Sequence, residues 1–569
     1  MKNLELAKIF YAVADILEIK EVEWKPAAYR KAARSLEALS DAVEEIYEEE
    51  GLKGLDKIPG IGKRISEKIV EYIKTGKIKE NDKLKKSLPK HLLELMDVQG
   101  IGPKRAKVLY KKLGIKSIKE LERAAKLHKI ERLPLFKEKL EKDILEGIEI
   151  YKGGQGRHLL GLILPIAKEI EGRLRKLKEV DKAEIAGSTR RMKETVRDVD
   201  ILVATKNPKR VIEYFTSMPE IKKVLAKGST KSTIILENNL QIDIRVVDEK
   251  VFGSALQYFT GSKEHSISLR RIALKKGYKL SEYGLFKRKG NRLIACRNEE
   301  EVYKNLGMQY IPPELRENIG EIEIALQHKI PRLVELKDIK GDMHVHSKYS
   351  DGSNSIAEIA NAAKKLKYEY ICISDHSKGM KIANGMTEAQ LLRQIKEIDK
   401  LNDRAGIKIL KGAEVNIKKD GSLDYTSKIL KKLDAVTASI HYGLSGDQTK
   451  RILRAMDNEY VNIIGHPTGR LIDKRAGSEL EFDKVFEKAK SRDIALEINA
   501  FPDRLDLNDK SIKEAVERGV MLAIGSDSHN IEQLRFMKLG VAQARRGWAA
   551  KKNILNCMTV EQLNRALKR

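Results

Sequence analysis

From residue 339 to the C-terminus, seven short apolar segments alternate with helical stretches, and this alternation constrains the fold more than any other feature of the chain. Strands that alternate with helices favour a parallel sheet, either open or closed into a barrel. In (β/α) barrels the chemistry lies at the C-terminal ends of the strands, where the following loops converge. The seven candidate strands are IKGDMHV, YEYICIS, IKILKGA, LDAVTASI, VNIIG, IALEIN and MLAIGS.

Side chains of the kind that bind metals follow the ends of these strands. The chain has 11 histidines, and every histidine after Gly341 belongs to this set. Mixed imidazole and carboxylate ligation suits Zn²⁺, Mn²⁺ or Fe²⁺ rather than a purely structural zinc site. Such a set can hold up to three ions and leave positions open for water and a phosphate ester. The candidate ligands are His344, His346, Asp351, His376, Glu414, His441, His466, Asp527 and His529.

The length and composition bound the class of protein. A chain of 569 residues is too long for one hydrophobic core, so several domains of about 100 to 250 residues are expected. No apolar run approaches the roughly 20 residues that span a bilayer, and the N-terminus lacks a secretory signal. The 3 cysteines are widely separated, which excludes a disulfide framework and a CxxC site. We predict a cytoplasmic protein without membrane contact, and a monomer by default.

The chain is strongly basic. Its formal net charge is +28, from 111 Lys and Arg against 83 Asp and Glu. An excess of this size favours a polyanionic partner such as nucleic acid. The alternative is a surface rich in lysine and glutamate, of the kind that proteins from hyperthermophiles carry.

Two segments of the helical N-terminal region share one pattern, IPGIGKRISEKI and VQGIGPKRAKVL. Each places a Gly-Ile-Gly turn before a helix whose first turn is basic, so main-chain N–H groups can approach a phosphate closely. Both segments look like the helix-hairpin-helix element, which grips a DNA backbone without reading its sequence. The alternative is a glycine cap between two packing helices. The predicted DNA-binding residues are Gly60, Gly62, Lys63, Arg64, Gly100, Gly102, Lys104 and Arg105.

The segment GSTRRMKETVRDVDIL, which begins at Gly187, predicts a nucleotidyl-transfer site. Asp198 and Asp200 are two apart on a predicted strand and therefore share one face, and Asp243 joins them from a neighbouring strand. Three carboxylates suit two Mg²⁺ or Mn²⁺ ions about 4 Å apart, which would activate a hydroxyl and stabilise a leaving pyrophosphate. The residues expected to hold the triphosphate are Gly187, Ser188 and Arg191.

With the later segment LQYFTGSKEHSISLRRIALKKGYKLSEYGLF, this region resembles the palm and thumb of family X DNA polymerases, the family of DNA polymerase beta. The resemblance implies a sugar pocket that disfavours a 2′-hydroxyl, formed by Tyr258, Phe259 and Gly261. It also implies that Arg270 lies near the template minor groove and that Arg245 positions the third aspartate. These roles come from the resemblance and not from the spacing of the residues.

Lys68 aligns with the Schiff-base lysine of that family, which implies 5′-deoxyribose-phosphate lyase activity. An amine close to other cations, here Lys25 and Arg64, can attack an aldehyde, although most lysines are solvated surface groups. Two positions depart from the family: Ser266 stands where an asparagine often contacts the incoming base, and Arg197 where a glycine commonly precedes the first aspartate.

The region after residue 339 resembles the PHP (polymerase and histidinol phosphatase) domain, and the whole chain resembles bacterial and archaeal family X polymerases that carry one. The fold class expected is multidomain α+β and α/β, with helical helix-hairpin-helix domains, a nucleotidyltransferase palm and thumb, and a distorted (β/α)₇ barrel. The predicted parts are an 8-kDa-like helical domain at 1–85, a fingers-like helical domain at 86–150, a palm at 151–255, a thumb at 256–318, a linker at 319–338 and a PHP metal-dependent phosphoesterase domain at 339–569.

We hypothesise a repair polymerase that fills short gaps in gapped or nicked DNA with dNTPs. The resemblance implies that its PHP domain is a 3′-5′ exonuclease, with AP endonuclease or 3′-phosphatase as further activities. One rival is a phosphatase for a small phosphate ester such as histidinol phosphate. Another is a scaffold that binds DNA ends and has an inactive palm.

Overall fold

Helices build the N-terminal part of the chain. The computed structural model describes residues 2–39, 43–86, 89–96, 98, 101–154, 156–294 and 296–568. Residues such as Leu6, Phe10 and Ile69 form one apolar core, and Leu109 and Ile144 belong to a second. The helices are α1 (Lys2–Ile19), α2 (Lys25–Ala38), α3 (Val43–Asp56), α4 (Lys63–Thr75), α5 (Lys79–Lys86), α6 (Lys90–Met96), α7 (Pro103–Leu113), α8 (Ile118–Lys126) and α9 (Glu138–Gly154).

A mixed sheet follows, with the strand order β2-β4-β7-β6-β5, and we call it the palm sheet. Strands β4 and β7 are parallel, and the other neighbouring pairs are antiparallel. The elements are β1 (His158–Leu159), α10 (Leu160–Arg175), β2 (Val180–Ile185), α11 (Gly187–Arg190), β3 (Thr195–Val196), β4 (Asp198–Thr205), α12 (Pro208–Thr216), β5 (Ile221–Lys227), β6 (Lys231–Leu236) and β7 (Gln241–Val247).

The next region combines helices with a small antiparallel sheet of order β10-β9-β8. Its core includes Leu269, Tyr303 and Leu315, and residues of the segment 319–338 such as Ile322 and Leu333 pack in the same core. Val334 of the segment proposed as a linker packs instead in the core of the C-terminal region. The elements are α13 (Phe252–Thr260), α14 (Lys263–Lys275), β8 (Tyr278–Ser281), β9 (Gly284–Lys287), β10 (Leu293–Ile294), α15 (Glu299–Asn305) and α16 (Glu321–Leu326).

The C-terminal region is a nearly closed barrel of seven parallel strands, in the order in which they occur along the chain. All seven predicted strands are present. The first and last strands meet where the His346 N–H donates to the Ser528 carbonyl over 2.8 Å and the Asp527 N–H to the His344 carbonyl over 3.0 Å. The strands are β11 (Gly341–Val345), β12 (Tyr370–Ile373), β13 (Lys408–Asn416), β14 (Ala435–Ser439), β15 (Ile463–Ile464), β16 (Ala495–Asn499) and β17 (Leu522–Gly525).

Helices cover the outside of this barrel and bury the apolar faces of the strands, as in other α/β domains. Ser355 and Thr387 cap two of them, because each hydroxyl accepts the N–H of the third helical residue over 3.3 Å. The helices are α17 (Ile356–Lys365), α18 (Glu388–Asn402), α19 (Ser427–Leu430), α20 (Thr449–Ala455), α21 (Phe482–Ser491), α22 (Asp509–Arg518), α23 (Met537–Arg546) and α24 (Val560–Leu567).

The barrel packs directly on the preceding regions. Leu505 and Leu539 lie in the core of the palm sheet, and Trp548 lies in the thumb core. An ion pair of 2.7 Å joins Arg470 to Glu194 of the palm. The fold class is therefore the predicted combination of helical domains, palm, thumb and barrel. Among the described residues, no helix is both long enough and apolar enough to cross a membrane.

Candidate active sites

Three carboxylates converge on one face of the palm sheet. Asp200 of β4 lies directly beside Asp243 of β7, and Asp198 precedes it on the same face. The Thr233 hydroxyl donates to Asp243 Oδ1 over 2.5 Å, and the Gln241 amide donates to Oδ2 over 2.7 Å. Burial and the charges of Asp198 and Asp243 raise the pKa of Asp200 to about 7. Hard oxygen atoms that repel one another in this way fit divalent cations such as Mg²⁺.

The turn that begins at Gly187 brings the main chain against these carboxylates. Gly187 has a φ of +63°, and a Cβ atom there would lie 2.4 Å from Asp200 Oδ2. Only glycine therefore allows this approach. Ser188 follows in the same turn and is half-buried. The structure thus brings the predicted triphosphate turn and the predicted metal ligands together.

Arg191 lies at the end of this turn and joins it to the end of α13. Its Nε donates to Glu317 Oε1 over 3.1 Å, and its Nη1 donates to the Thr260 carbonyl over 2.6 Å. A Cβ atom at Gly261 would lie 3.1 Å from Arg191 Nη1. Two of the predicted nucleotide-binding residues, Arg191 and Gly261, are therefore neighbours.

Tyr258 and Phe259 lie on α13 beside the palm sheet. Their rings meet edge to face, with centroids 5.2 Å apart. The guanidinium of Arg245, two residues after Asp243 on β7, lies 5.1 Å from the centroid of the Phe259 ring. This contact fixes an arginine next to the carboxylates, and its charge lowers the pKa of Asp200, although burial and the neighbouring aspartates outweigh it.

The two positions that depart from the family differ in their surroundings. Ser266 is buried, and its hydroxyl has no hydrogen-bond partner among the described residues. Its carbonyl accepts a hydrogen bond of 3.2 Å from Nε of Arg270, the residue predicted to lie near the template. Arg197 is exposed at the start of β4.

The two glycine-containing segments of the helical region share one main-chain hydrogen bond. The Ile61 N–H donates to the Ile58 carbonyl over 3.0 Å, and the Ile101 N–H donates to the Val98 carbonyl over 3.1 Å. Gly62 and Gly102 then precede α4 and α7 in extended conformations. Gly100 lies outside the described residues.

The basic residues that follow these turns differ in exposure. Gly60 has a φ of +84°, which favours glycine at that position. Lys63, Arg64 and Lys104 are exposed, whereas Arg105 is half-buried. Both turns therefore present N–H groups and cations at the start of a helix, an arrangement that suits a phosphate backbone.

Lys68 lies on α4 and is ion-paired with Glu80. The Tyr29 hydroxyl donates to the same carboxylate over 3.2 Å. Burial alone would raise the pKa of Glu80, but Lys68 and the charge of Lys25 hold it below its ordinary value. The Lys68 amine is thus bound to Glu80 in this structure, and it would have to leave Glu80 to act as a nucleophile.

The predicted barrel ligands surround one buried centre. Their nitrogen and oxygen atoms form three overlapping groups, within each of which the atoms lie no more than 4.8 Å apart. His466 joins them, since its Nε2 lies 2.9 Å from Glu414 Oε1. The groups are His346, Asp351, His376 and His529; His344, His346 and Asp527; and His376, Glu414 and His441.

The carboxylates and imidazoles of this cluster shift one another's pKa values. Burial alone would raise the pKa of Glu414, but the imidazoles of His441 and His376 outweigh it and hold the pKa well below its ordinary value. Burial, with the charges of neighbouring histidines, lowers the pKa of His346 to about 3. Nδ1 of His346 is also buried without a hydrogen-bond partner among the described residues. Burial alone would lower the pKa of His529, but Asp351 and Asp527 outweigh it and raise the pKa to about 9, so a bound cation would have to displace a proton there. Carboxylate and imidazole ligands of this kind fit borderline divalent cations.

Other residues of this centre escaped the sequence analysis. Glu497 Oε1 lies 2.6 Å from His344 Nδ1, and its Oε2 accepts the His466 N–H over 2.6 Å. The Asn499 amide donates to Asp527 Oδ2 over 3.0 Å. Both residues belong to β16, the strand that supplies no predicted ligand. Their signal was present in IALEIN, because polar residues two apart in an apolar strand point to one face.

The loop after β16 forms part of the rim. Arg504 Nε lies 3.6 Å from Asp527 Oδ2, and its side chain is 22% exposed. The Phe501 ring centroid lies 6.5 Å from that of His529. This segment, residues 500–507, also contains Leu505, which packs in the palm core. The rim of the barrel centre is therefore attached to the palm.

Comparison with protein families matches four parts of the chain. Residues 1–78 match a helix-hairpin-helix domain, and residues 92–149 match a SAM-like helix-hairpin-helix tandem. Residues 255–317 match the DNA polymerase beta thumb, and residues 342–501 match the PHP domain.

Three curated proteins illustrate the similarity. The DNA polymerase/3′-5′ exonuclease PolX of Bacillus subtilis is 40% identical over 100% of both chains. A probable phosphatase of Thermoanaerobacter sp. is 36% identical over 202 residues, which are 33% of this chain and 78% of that protein. Rat DNA polymerase lambda is 26% identical over 350 residues, 55% of this chain and 56% of its own length.

Proposed function

Because the chain belongs to the PolX group of family X DNA polymerases, with a C-terminal PHP domain, we propose that its two acidic centres divide DNA synthesis from DNA hydrolysis. The protein is a gap-filling DNA polymerase with a 3′-5′ exonuclease activity. The observation that supports the division is the presence of two separate clusters, one on the palm sheet and one in the barrel.

At the palm sheet, Asp198, Asp200 and Asp243 would hold two Mg²⁺ or Mn²⁺ ions. Bound divalent cations would neutralise charge on the triphosphate and on the primer hydroxyl. The chain itself holds Asp243 in place through Thr233 and Gln241. The ions would also relieve the repulsion that raises the pKa of Asp200, so the site is poised for them.

The nucleotide would lie between the Gly187 turn and α13. The main chain at Gly187 and the side chains of Ser188 and Arg191 would bind phosphate oxygens. Tyr258, Phe259 and Gly261 would line the sugar pocket, and a 2′-hydroxyl would be excluded there by contact with the main chain. Support comes from the short distance between Gly261 and Arg191 and from the position of Arg270 on the same side of α14 as Ser266.

In the barrel, nine side chains would hold up to three Zn²⁺, Mn²⁺ or Fe²⁺ ions. Such ions supply Lewis acidity toward a phosphate ester. Glu497 fixes the orientation of His344 by binding its Nδ1, which leaves Nε2 directed at the centre. Asn499 does the same for Asp527. The proposed ligands are His344, His346, Asp351, His376, Glu414, His441, His466, Asp527 and His529.

The helical region would grip the DNA backbone on both sides of a gap. Lys63, Arg64 and Lys104 are exposed beside the glycine turns and would contact phosphates without reading sequence. Lys68 would act as a 5′-deoxyribose-phosphate lyase nucleophile after it leaves Glu80. The substrates are then gapped or nicked DNA and dNTPs, and the working unit is a monomer.

The division of labour is tested with Asp198→Ala and His344→Ala on a one-nucleotide gap with a mismatched 3′ end. We expect Asp198→Ala to reduce dNTP incorporation by at least about 10³-fold and to leave removal of the mismatched nucleotide unchanged. His344→Ala should abolish removal of the mismatched nucleotide and leave dNTP incorporation unchanged. Loss of both activities in either variant would contradict the assignment, and metal analysis of each preparation shows whether the barrel ions are retained.

A second candidate function for the barrel is hydrolysis of phosphomonoesters, including 3′-phosphates on DNA. The similarity to a probable phosphatase over most of that protein favours it. Comparing release of inorganic phosphate from a 3′-phosphorylated gap and from histidinol phosphate separates DNA-end cleaning from small-molecule hydrolysis. Equal turnover of both substrates would favour a general phosphatase.

A further inference from the structure

The residue proposed to bind the triphosphate, Arg191, is held in part by the C-terminal barrel. Nη1 of Arg546, in the last turn of α23, donates to the Arg191 carbonyl over 2.8 Å. The same nitrogen lies 3.0 Å from Glu317 Oε1, which also accepts the Arg191 Nε hydrogen bond. We call Arg191, Glu317 and Arg546 the clamp. It joins the nucleotide turn, the end of the thumb and the barrel.

The clamp is buried, so its geometry is restricted. The side chains of Arg191, Glu317 and Arg546 are 13%, 18% and 2% exposed. Burial alone would raise the pKa of Glu317, but the two guanidinium groups outweigh it and hold the pKa below its ordinary value. A buried carboxylate shared by two arginines is a strong, directional contact, because charge-assisted hydrogen bonds are about twice as strong as neutral ones.

These contacts leave one edge of the Arg191 guanidinium available. Nε is bound to Glu317, and Nη1 is bound to the Thr260 carbonyl. Nη2 makes no hydrogen bond to the described residues, and the guanidinium lies against Gly261 in the proposed nucleotide pocket. Two fixed donors determine the plane of the group, so the remaining donors point in a defined direction.

The orientation of Arg191 also depends on the third member. If Arg546 were absent, the buried Glu317 carboxylate would lose one of its two guanidinium partners and would hold Arg191 in place less firmly. The Arg191 carbonyl would also lose its buried donor. We propose that Arg546 is a positioning residue for the nucleotide site, which holds Arg191 oriented toward the incoming triphosphate. This inference rests on the proposed nucleotide-binding role of Arg191.

The chain offers a matched control at the next position. Arg545 lies on the same turn of α23 and binds Glu314 over 2.7 Å, and its Nη1 donates to the Val334 carbonyl over 3.0 Å. It therefore joins the barrel to the same segment of the thumb but makes no contact with Arg191. A defect caused by loose docking of the barrel should appear in variants of either arginine.

The test is steady-state gap filling by the full chain carrying Arg546→Met, Arg545→Met or Arg191→Gln. We expect Arg546→Met to raise KM for dNTP about tenfold and to change kcat less than about twofold, since it removes a ground-state contact to the phosphate-binding group. Arg545→Met should leave KM unchanged. Arg546→Lys, which retains the charge but cannot make all the contacts, should raise KM about threefold.

The variants separate the proposed role of Arg191 from that of Arg546. If Arg191→Gln leaves KM for dNTP unchanged, both the proposed role of Arg191 and this inference are wrong. If Arg191→Gln raises KM but Arg546→Met does not, only the inference is wrong. An equal rise of KM for dNTP in Arg545→Met would assign the effect to docking of the barrel and would overturn the inference. The thermal transition and exonuclease activity show whether Arg546→Met is folded, and if it is not, Arg546→Lys gives the answer.

Discussion

Gly187 shows how much of the palm site depends on one absent side chain. Its main chain lies against Asp200, at a positive φ and with no room for a Cβ atom. In the sequence, only the position of this glycine before the two aspartates marks it as functional. The structure adds the reason: the phosphate-binding turn and the carboxylates occupy adjoining volumes, so the distance between triphosphate and cations is fixed by the backbone.

Gly187→Ala is expected to reduce polymerase kcat/KM by at least about 10²-fold, because the new Cβ would displace Asp200 and a misplacement of about 1 Å is enough for such a loss. Incorporation of a dNTP into a one-nucleotide gap measures the polymerase kcat/KM. Gly172→Ala in α10 is the matched control, since a Cβ atom there meets nothing within 4 Å. Exonuclease activity should be unchanged in both variants, and a fully active Gly187→Ala would contradict this account.

At the residue scale, some side chains were recognisable from the sequence and others were not. The barrel ligands stood out because histidines are rare in this chain and each follows an apolar strand. Arg504 and Arg546 gave no such signal, because 111 lysines and arginines make any single one unremarkable. Their positions depend on contacts with residues distant in the chain, which spacing does not encode.

At the scale of elements, a buried histidine ties α14 to α16 in the thumb. His265 Nδ1 lies 2.6 Å from Glu321 Oε1, and its Nε2 lies 3.0 Å from the Tyr303 hydroxyl. Burial lowers the pKa of His265 despite the neighbouring carboxylate. The neutral ring can donate to Glu321 and accept from Tyr303, so protonation would disrupt this arrangement.

The pKa of His265 predicts a pH dependence of stability. Below about pH 6.5 the unfolded chain takes up a proton at this histidine that the folded chain does not, so stability falls as the pH is lowered. A loss of about 1 kcal/mol corresponds to roughly 2–4 °C in Tm. We therefore expect Tm to fall more steeply between pH 7.5 and 5 in the parent protein than in His265→Gln.

The exposed His328 supplies the control for this measurement. His328→Gln should retain the slope of the parent protein, and the barrel histidines contribute equally to all three proteins if each is saturated with the same metal. Glu321 does not interfere in the parent protein or in His328→Gln, since burial raises its pKa but His265 and main-chain donors outweigh this and hold it below the ordinary value. In His265→Gln the main-chain N–H groups of Asn318 and Ile319 still donate to this carboxylate. Equal slopes for His265→Gln and the parent would contradict the prediction.

The hydrophobic pattern predicted the seven barrel strands but did not mark several strands elsewhere, and β5 shows one physical cause. Strand β5, IKKVLAK, was not recognised in the sequence. It lies at the edge of the palm sheet and is exposed along almost its whole length. Edge strands commonly carry lysine, which discourages pairing with other chains. Neither an apolar face nor a buried run was therefore present to mark it.

At the scale of the whole molecule, the two catalytic regions both contact one segment of the chain, residues 500–507. The segment 500–507 follows β16 and contributes Arg504 to the rim of the barrel centre, while its Leu505 packs in the palm core. Arg470 strengthens the same contact by binding Glu194 over 2.7 Å. The palm thus supports the loop that would meet a DNA strand at the barrel, and the barrel supports Arg191 through Arg546.

Because both regions contact the segment 500–507, a substitution in the palm is predicted to alter the exonuclease activity. A Cβ atom at Gly161, in the first turn of α10, would lie 2.7 Å from Pro502 Cβ and 2.9 Å from Leu539 Cδ1. Gly161→Leu should therefore push the segment 500–507 away and move Arg504 relative to Asp527. We expect exonuclease kcat/KM to fall roughly tenfold, the scale of loss from a small displacement of a substrate-binding group.

The control is Gly172→Leu on the same helix, where a Cβ atom meets nothing within 4 Å. Metal content should be the same in the parent protein and both variants, because neither substitution touches a proposed ligand, and this separates a displaced rim from a damaged centre. Loss of metal in Gly161→Leu would place the defect in the centre itself. Full exonuclease activity with metal retained would show that the barrel holds this loop without help from the palm.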